Sequence, residues 1–306
     1  MDHPQRDIVT GANGYTGKYL TRKLLSLGHN VSTLTGHPER KHEFGNLVPV
    51  YPFDFDKPEL LAKHLTDAST VYNTYWVRFP YGNIDYSQAV KNTKVLIDAA
   101  KSAGVKKFVH TSIANSDIDS ALPYYKQKAV LEKYLMESGL NYAIIGPTVI
   151  FGLEDILINN IAWMLRTFPV FGIIGSGDYQ IQPIYVEDMT NLAIEAASRS
   201  ENIVVDAVGP EIFSFKELVR LIADTIGSKS KLVSLPAPIA LKITKSIGHF
   251  VNDVIITQEE VEGLLGNLLV SKRPATGKTS FSQWLSQNRD KVGRKYSSEL
   301  KRHFLK

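Results

Sequence analysis

The sequence predicts an α/β fold: a doubly wound parallel sheet with a smaller, mostly helical C-terminal lobe. Three observations carry this prediction. Short apolar stretches alternate with helical periodicity through the first half of the chain. An apolar strand near the start runs straight into glycines at positions 11, 14 and 17. After Phe151 the alternation stops and helical patterns dominate.

In the first half, strands are expected over 8–10, 31–35, 48–51, 71–74, 107–111 and 142–145. Helices are expected over 17–27, 58–65, 87–103 and 125–138. Short, uniformly apolar strands suit a sheet buried on both faces, built with right-handed crossovers. Ligands of such sheets sit beyond the carboxyl ends of the strands. In the second half, a helix over 156–166 leads to a glycine-rich turn at 172–177. A helix over 186–197 follows, with Glu187 and Asp188 in its first turn, where the helix dipole favours them. One more strand is expected over 203–208, then helices over 214–226, 239–247, 257–265 and 279–287.

Composition excludes several classes. With 43% hydrophobic and 22% charged residues over 306 positions, the chain can bury a large core, as one unit or two unequal lobes. The absence of cysteine excludes disulfides, thiolate metal sites and cysteine nucleophiles, and fits a reducing compartment. The polar start, residues 1–6, is too short for a signal peptide. The most apolar segment, 156–175, is broken by Asn159, Asn160, Arg166 and Pro169. It reads as a buried helix and turn, with an interfacial contact as the lesser alternative and no transmembrane segment. A cytoplasmic protein is expected. The net charge of +4 gathers partly at Lys291, Arg294, Lys295, Lys301, Arg302 and Lys306, read as a solvated helix face. No basic patch with stacking aromatics argues for nucleic acid. His37, His42, His64 and His110 lack metal-ligand spacing, so no metal is expected. The nucleophile-elbow pattern G-x-S-x-G is absent.

The glycines carry the chemistry. Gly11 makes the turn out of the strand, Gly14 admits a pyrophosphate to the backbone, and Gly17 lets the helix pack closely, its N–H groups aimed at phosphate. A tight turn without a ligand is the plain alternative. The spacing G-x-x-G-x-x-G differs from the usual dinucleotide fingerprint. It is also no P-loop: Ala12 holds the first glycine position before Gly17 and Lys18, and Tyr19 replaces the Mg²⁺-binding hydroxyl. Lys272 spoils the later Gly277-Lys278-Thr279 in the same way. A Rossmann-type nucleotide-binding domain over 1–152 follows, with 178–208 returning to it. Residues 153–177 and 209–306 form the substrate-side helical lobe.

Tyr124 and Lys128 are spaced i, i+4 and share one helix face after the fifth strand. A cation beside a tyrosine favours its phenolate and fits it for acid–base work. Ser112 ends the fifth strand, where its hydroxyl could meet a substrate oxygen or cap a turn. Trp76 and Arg78 follow the fourth strand. They could face a planar or anionic substrate, or Trp76 could pack in a seam between domains.

These features occur in one order: the glycine turn, Asn73-Thr74, Ser112, Tyr124 with Lys128, and Pro147-Thr148-Val149-Ile150-Phe151-Gly152. In that order the chain resembles the short-chain dehydrogenase/reductase superfamily. The resemblance is to its extended and atypical branches, which include nucleoside-diphosphate-sugar epimerases and NmrA-like proteins. Residues 73–79 look closer still to the group containing the 39-kDa subunit of respiratory complex I. The resemblance implies that Gly11, Asn13, Gly14, Tyr15, Thr16 and Gly17 wrap the pyrophosphate. Asp54 and Phe55 would flank adenine, and Asn73, Thr74 and Tyr75 would line the path to the nicotinamide ribose. Lys128 would hold that ribose and tune Tyr124, while Pro147, Thr148 and Val149 would sit by the nicotinamide. Ile113 and Gly146 depart from the family pattern, as does the short spacing from Ser112 to Tyr124. These departures fall on the substrate side.

At the end of the second strand the chain reads Thr35-Gly36-His37-Pro38-Glu39-Arg40-Lys41, without an acid to hold a ribose 2′-hydroxyl. His37, Arg40 or Lys41 could instead reach a 2′-phosphate, so NADP(H) is favoured over NAD(H); the plain alternative is that Arg40 and Lys41 are solvated loop charges. The expected function is an NAD(P)-dependent oxidoreductase or epimerase-like enzyme. In it Tyr124, Lys128 and Ser112 would act on a small carbonyl or alcohol substrate. The alternative is a non-catalytic NAD(P)H-binding redox sensor or assembly protein. Oligomeric state is left open.

Overall fold

The computed structural model describes residues 6–82 and 84–303. The polar start before Arg6 and Lys306 lie outside the described residues. From the amino end, β1 (Arg6–Thr10) leads into α1 (Tyr15–Ser26), β2 (Asn30–Thr35) and β3 (Val50–Pro52). Then come α2 (Pro58–Leu65), β4 (Thr70–Asn73), α3 (Tyr86–Ser102), β5 (Lys107–Thr111), α4 (Pro123–Glu137) and β6 (Tyr142–Pro147). Local chemistry marks the helix starts. Pro58 and Pro123 open α2 and α4, where a missing N–H costs nothing. Asp85 caps α3 by accepting from the Gln88 N–H at 2.8 Å.

The remainder runs β7 (Val149–Phe151), α5 (Leu157–Thr167), β8 (Val170–Ile174), β9 (Gln180–Ile181), β10 (Pro183–Tyr185), α6 (Val186–Ser198) and β11 (Ile203–Ala207). After these come β12 (Phe213–Ser214), α7 (Phe215–Ile226), β13 (Lys231–Leu235), α8 (Ala237–Val251), α9 (Gln258–Leu265), α10 (Phe281–Asn288) and α11 (Glu299–His303). Ser214 with Glu217, and Thr257 with Glu260, form reciprocal capping boxes at α7 and α9.

Among the described residues, seven strands form the central sheet in the order β11-β6-β5-β4-β1-β2-β3. The ladders from β3 through β6 all run parallel. The Rossmann-like α/β class expected from the alternation is therefore the fold. Strand order reverses between β1 and β4, which opens a crevice at their carboxyl ends. Gly11 follows one of these strands and Thr74 the other.

The sheet belongs to a first compact unit, which runs to Gly146 and includes Met189–Asp206. Its core takes Ile8, Leu34, Val71, Phe108 and Ile144 from five successive sheet positions, each at most 1% exposed. Leu61, Leu96 and Leu135 pack on them from α2, α3 and α4. Each such side chain stabilises the fold by roughly 1.5–3 kcal/mol through burial.

The second unit comprises Pro147–Asp188 and the chain from Ala207 onward. Its core gathers Phe151, Ile158, Leu218, Ile222, Phe281 and Trp284. It is less purely helical than its periodicity implies. β7 pairs with β10, β9 with β12, and β8 with β13. The glycine-rich turn expected at 172–177 is in part strand. Gly172 lies opposite Val233 in the β8–β13 ladder, and a Cβ there would stand 2.7 Å from Leu235 Cδ1. The turn is confined to Gly175 and Gly177, at φ +62° and +77°. The unit boundaries fall before residue 152 and after residue 178, because the β7–β10 ladder ties both flanks into the second unit.

Candidate nucleotide site and its tyrosine–lysine face

The turn after β1 is built from backbone. Gly11 adopts φ +66°, a left-handed conformation that side chains disfavour. Its N–H donates to Leu34 O at 2.8 Å, and Gly14 N–H donates to Gly11 O at 2.8 Å. A Cβ on Gly17 would lie 2.2 Å from Gly11 O, so α1 can ride on the turn only with glycine there. Gly14 is the N-cap of α1, no side chain caps the first turn, and no acid lies in it. The positive end of the helix dipole is thus presented beside the crevice without a built-in anion. Asn13, Tyr15 and Thr16 are half-buried around it. These residues fit a pyrophosphate.

Thr10, which the sequence reading passed over, closes the crevice floor. Its Oγ1 accepts from the N–H groups of Thr74 at 2.7 Å and Tyr75 at 3.0 Å, and donates to Asn73 Oδ1 at 3.1 Å. Thr74 Oγ1 returns a bond to Thr10 O at 2.6 Å. Asn73 Nδ2 lies 3.0 Å from His110 Nδ1. Burial drives the His110 pKa well below the usual range, helped by the Lys128 charge, so the imidazole is neutral. Asn73 and Thr74 therefore spend their side chains on tying β4 to β1 and β5. Tyr75 turns its ring onto Phe53 and Phe55 at 5.0 and 5.4 Å, and its hydroxyl accepts from Asn92 Nδ2 at 2.9 Å. Phe55 also stacks on Phe53 at 4.7 Å, beside Asp54 at φ +43°. Beyond β2, His37 N–H donates to Thr35 Oγ1 at 3.1 Å and Arg40 N–H to His37 O at 3.1 Å. The loop curls into a turn there, and beyond its chain neighbours nothing among the described residues lies within 4 Å of where a Gly36 Cβ would stand.

The tyrosine–lysine face lies on α4. Lys128 is buried and its Nζ donates to Thr111 O at 2.9 Å. The same Nζ sits 4.3 Å from the ring centroid of Trp76. Burial pushes the Lys128 pKa down to about 7, against the opposing pull of Glu132. Tyr124, half-buried, meets the Trp76 and Tyr86 rings edge-on at 5.9 Å each, while Trp76 stacks on Tyr86 at 6.0 Å. Trp76 is thus the common neighbour of Tyr124 and Lys128, within the first unit. Its buried Nε1 has no hydrogen-bond partner among the described residues. The Arg78 guanidinium lies over Phe79 at 5.4 Å.

Ser112 is held by its N–H to Ile145 O at 2.8 Å, and its hydroxyl donates to Glu132 Oε1. Ser116 donates to the other Glu132 oxygen at 2.7 Å. A serine hydroxyl has one proton to give. In this arrangement it goes to Glu132, not to a substrate oxygen. Glu132 was absent from the sequence reading, although it continues the i, i+4 row of Tyr124 and Lys128.

Pro147, Thr148 and Val149 open the second unit. Thr148 Oγ1 donates to Gln182 O and its N–H to Ala207 O at 3.4 Å, while Val149 lies opposite Pro183 in the β7–β10 ladder.

Fold, switch-point crevice and glycine turn together resemble those of the short-chain dehydrogenase/reductase superfamily. Residues 11–154 match the protein-family model described as NAD(P)H-binding, which supports a nicotinamide cofactor. Over 283 residues the chain is 24% identical to the mitochondrial NADH dehydrogenase (ubiquinone) 1 alpha subcomplex subunit 9 of Arabidopsis thaliana, covering 86% of this chain and 70% of that one. Over 247 residues it is 28% identical to photosystem II assembly factor Ycf39 of Cyanidium caldarium, covering 79% and 78%. A nucleoside-diphosphate-sugar epimerase structure from Staphylococcus aureus superposes with a TM-score of 0.71 at 14% identity, covering 98% and 99%, and shares the fold. The resemblance to the superfamily, and within it to the group of the 39-kDa complex I subunit, is thereby borne out. The Arabidopsis relative is mitochondrial by name, a different compartment from the cytoplasm expected for this chain.

Proposed function

We propose that the chain binds NADP(H) at the α1 N-terminus and holds it as a structural or sensing ligand more than as a reagent. The observation that carries the first part is the uncapped start of α1, riding on Gly11 through a contact only glycine allows. Gly11, Asn13, Gly14, Tyr15, Thr16 and Gly17 would hold the pyrophosphate. His37 and Arg40 would take a 2′-phosphate, at a strand end without an acid. Asp54 and Phe55 would border the adenine.

The second part rests on Trp76 covering Lys128 and on Ser112 giving its proton to Glu132. Two of the groups expected to act on a substrate are engaged elsewhere. Relatives named as an assembly factor and as a complex I subunit support the same reading.

The enzymatic reading keeps one observation of its own, the Tyr124–Lys128 pair on one face of α4. A nicotinamide would supply hydride exchange with a carbonyl or alcohol carbon. Tyr124 would then give the proton in reduction and take it in oxidation. Lys128 would favour the phenolate, and a 2.9 Å bond to Thr111 O would hold it in place.

One experiment separates the two. Purified protein is heated alone, with NADPH and with NADH, then mixed with NADPH and a panel of aldehydes, ketones and sugar nucleotides. A raised melting temperature with no NADPH oxidation is the expected result. Oxidation that disappears in Tyr124→Phe establishes the enzymatic reading. No thermal shift with NADPH or NADH removes the nucleotide from both.

A further inference from the structure

The α8 helix of the second unit is apolar on two sides. Its inner side sets Ala237, Ala240 and Leu241 against Ile174 and Val261. Its outer side carries Ile239, Ile243 and Phe250, exposed by 48%, 43% and 82%. Positions 239, 243 and 250 fall on one stripe of a helix. A single exposed hydrophobe is ordinary, but three aligned on one stripe, ending in a projecting phenylalanine, make a patch.

The charge beside the stripe is of one sign. Lys242, Lys245 and His249 flank it and are exposed. Residues 225–252 contain no Asp or Glu and four lysines. On α9, packed behind, Glu260 is engaged by Thr257 and Glu262 by Gln258. An apolar stripe with a basic flank is the pattern of a helix lying in a membrane interface, its apolar face among acyl chains and its cations at anionic headgroups. At 15 residues α8 is about 22 Å long, short of the roughly 30 Å hydrocarbon core. Among the described residues, no helix is long and apolar enough to cross a membrane.

We infer that the outer face of α8 docks on an anionic lipid surface. Phe250, Ile243 and Ile239 enter the headgroup boundary, and Lys242 and Lys245 pair with lipid phosphates. This contact is independent of the nucleotide site.

Vesicle flotation of the full chain tests it, with phosphatidylcholine vesicles and with mixed phosphatidylcholine–phosphatidylglycerol vesicles. The protein should float with the mixed vesicles at low salt and be released as salt screens the lysines. Phe250→Asp should weaken partitioning roughly tenfold or more, from the lost burial of one aromatic ring. Lys242→Glu with Lys245→Glu should abolish the preference for anionic lipid. Since these side chains are exposed, each variant should keep the wild-type melting temperature, and Phe250→Ser serves if the aspartate does not. Failure to float with anionic vesicles overturns the inference, and so does wild-type flotation of the Phe250 variants. A wild-type dimer that Phe250→Asp converts to monomer also overturns it, because a second copy then covers the face.

Discussion

The Lys128 ammonium nitrogen lies 4.3 Å from the Trp76 ring centroid and donates to Thr111 O at 2.9 Å. One aromatic face and one carbonyl thus contact its charged end. The ring face and Glu132 favour the charged form, burial opposes it, and burial prevails, which leaves the pKa near 7. Trp76→Ala removes a cation–π contact of about 0.5–2 kcal/mol but admits water to a lysine that burial holds near 7, at about 1.4 kcal/mol for each tenfold change in its ionisation. The second effect is larger. The Lys128 pKa should therefore rise in Trp76→Ala, read by NMR of a ¹³Cε-labelled lysine. A fall would show that the ring contact, not burial, sets it.

Lys128 also makes a stability prediction. Its folded pKa of about 7 lies below the ordinary lysine value of 10.5. Stability from this group is then present above 10.5 and lost as pH falls through the folded pKa, because protonation burdens only the folded state. Lys128→Met avoids that loss. Its stability relative to wild type should grow as pH is lowered from 10.5 to about 7 and then level off, with a net gain of roughly 1–3 kcal/mol after the lost bond to Thr111 O. Denaturant midpoints across this range check it, and a gain independent of pH would contradict the assignment.

Glu132 should act on the site through Lys128. Glu132→Gln removes the carboxylate that favours the ammonium, so the Lys128 pKa should fall further. If NADPH affinity requires charged Lys128, its alkaline limb should move to lower pH in this variant while the low-pH plateau holds. Ser112→Ala should leave that profile near wild type, since Ser116 still donates to Glu132. A large loss of affinity in Ser112→Ala with no change in Glu132→Gln would reverse this order of importance.

Gly17→Ala should be costly. Its Cβ would need to occupy space 2.2 Å from a backbone oxygen, and backbone cannot swing aside as a side chain can. A loss of about 1–3 kcal/mol is expected, as for other overpacked sites, together with loss of the NADPH thermal shift. Gly36→Ala, where nothing beyond the chain neighbours lies within 4 Å among the described residues, is the control and should change stability little.

Arg40→Ala should weaken NADPH binding by roughly tenfold, the loss of one charge-assisted contact to phosphate, and leave NADH binding nearly unchanged. Calorimetric titration with both nucleotides tests this. Equal losses for the two would move Arg40 away from the 2′-phosphate.

By itself the sequence determined the fold class and the nucleotide turn. The strand–helix alternation, the apolar strands and the glycines at 11, 14 and 17 are local signals, set by periodicity, by the left-handed turn at Gly11 and by the missing Cβ that lets Gly17 sit on Gly11 O. Tyr124 and Lys128 were legible for the same reason, since i, i+4 spacing decides a shared face before any packing. What they touch was not legible. Trp76, fifty-two positions before Lys128, covers it only because β4 and β5 are neighbours in the sheet. Ser112 meets Glu132 only where α4 returns over the end of β5. Gly172 looks like a turn in sequence and is a strand in the structure, because its ladder partner on β13, Val233, lies far along the chain. The tertiary structure alone decided these contacts. They depend on which distant side chains share a small, dry volume, and there burial lowers a lysine pKa and commits a serine proton.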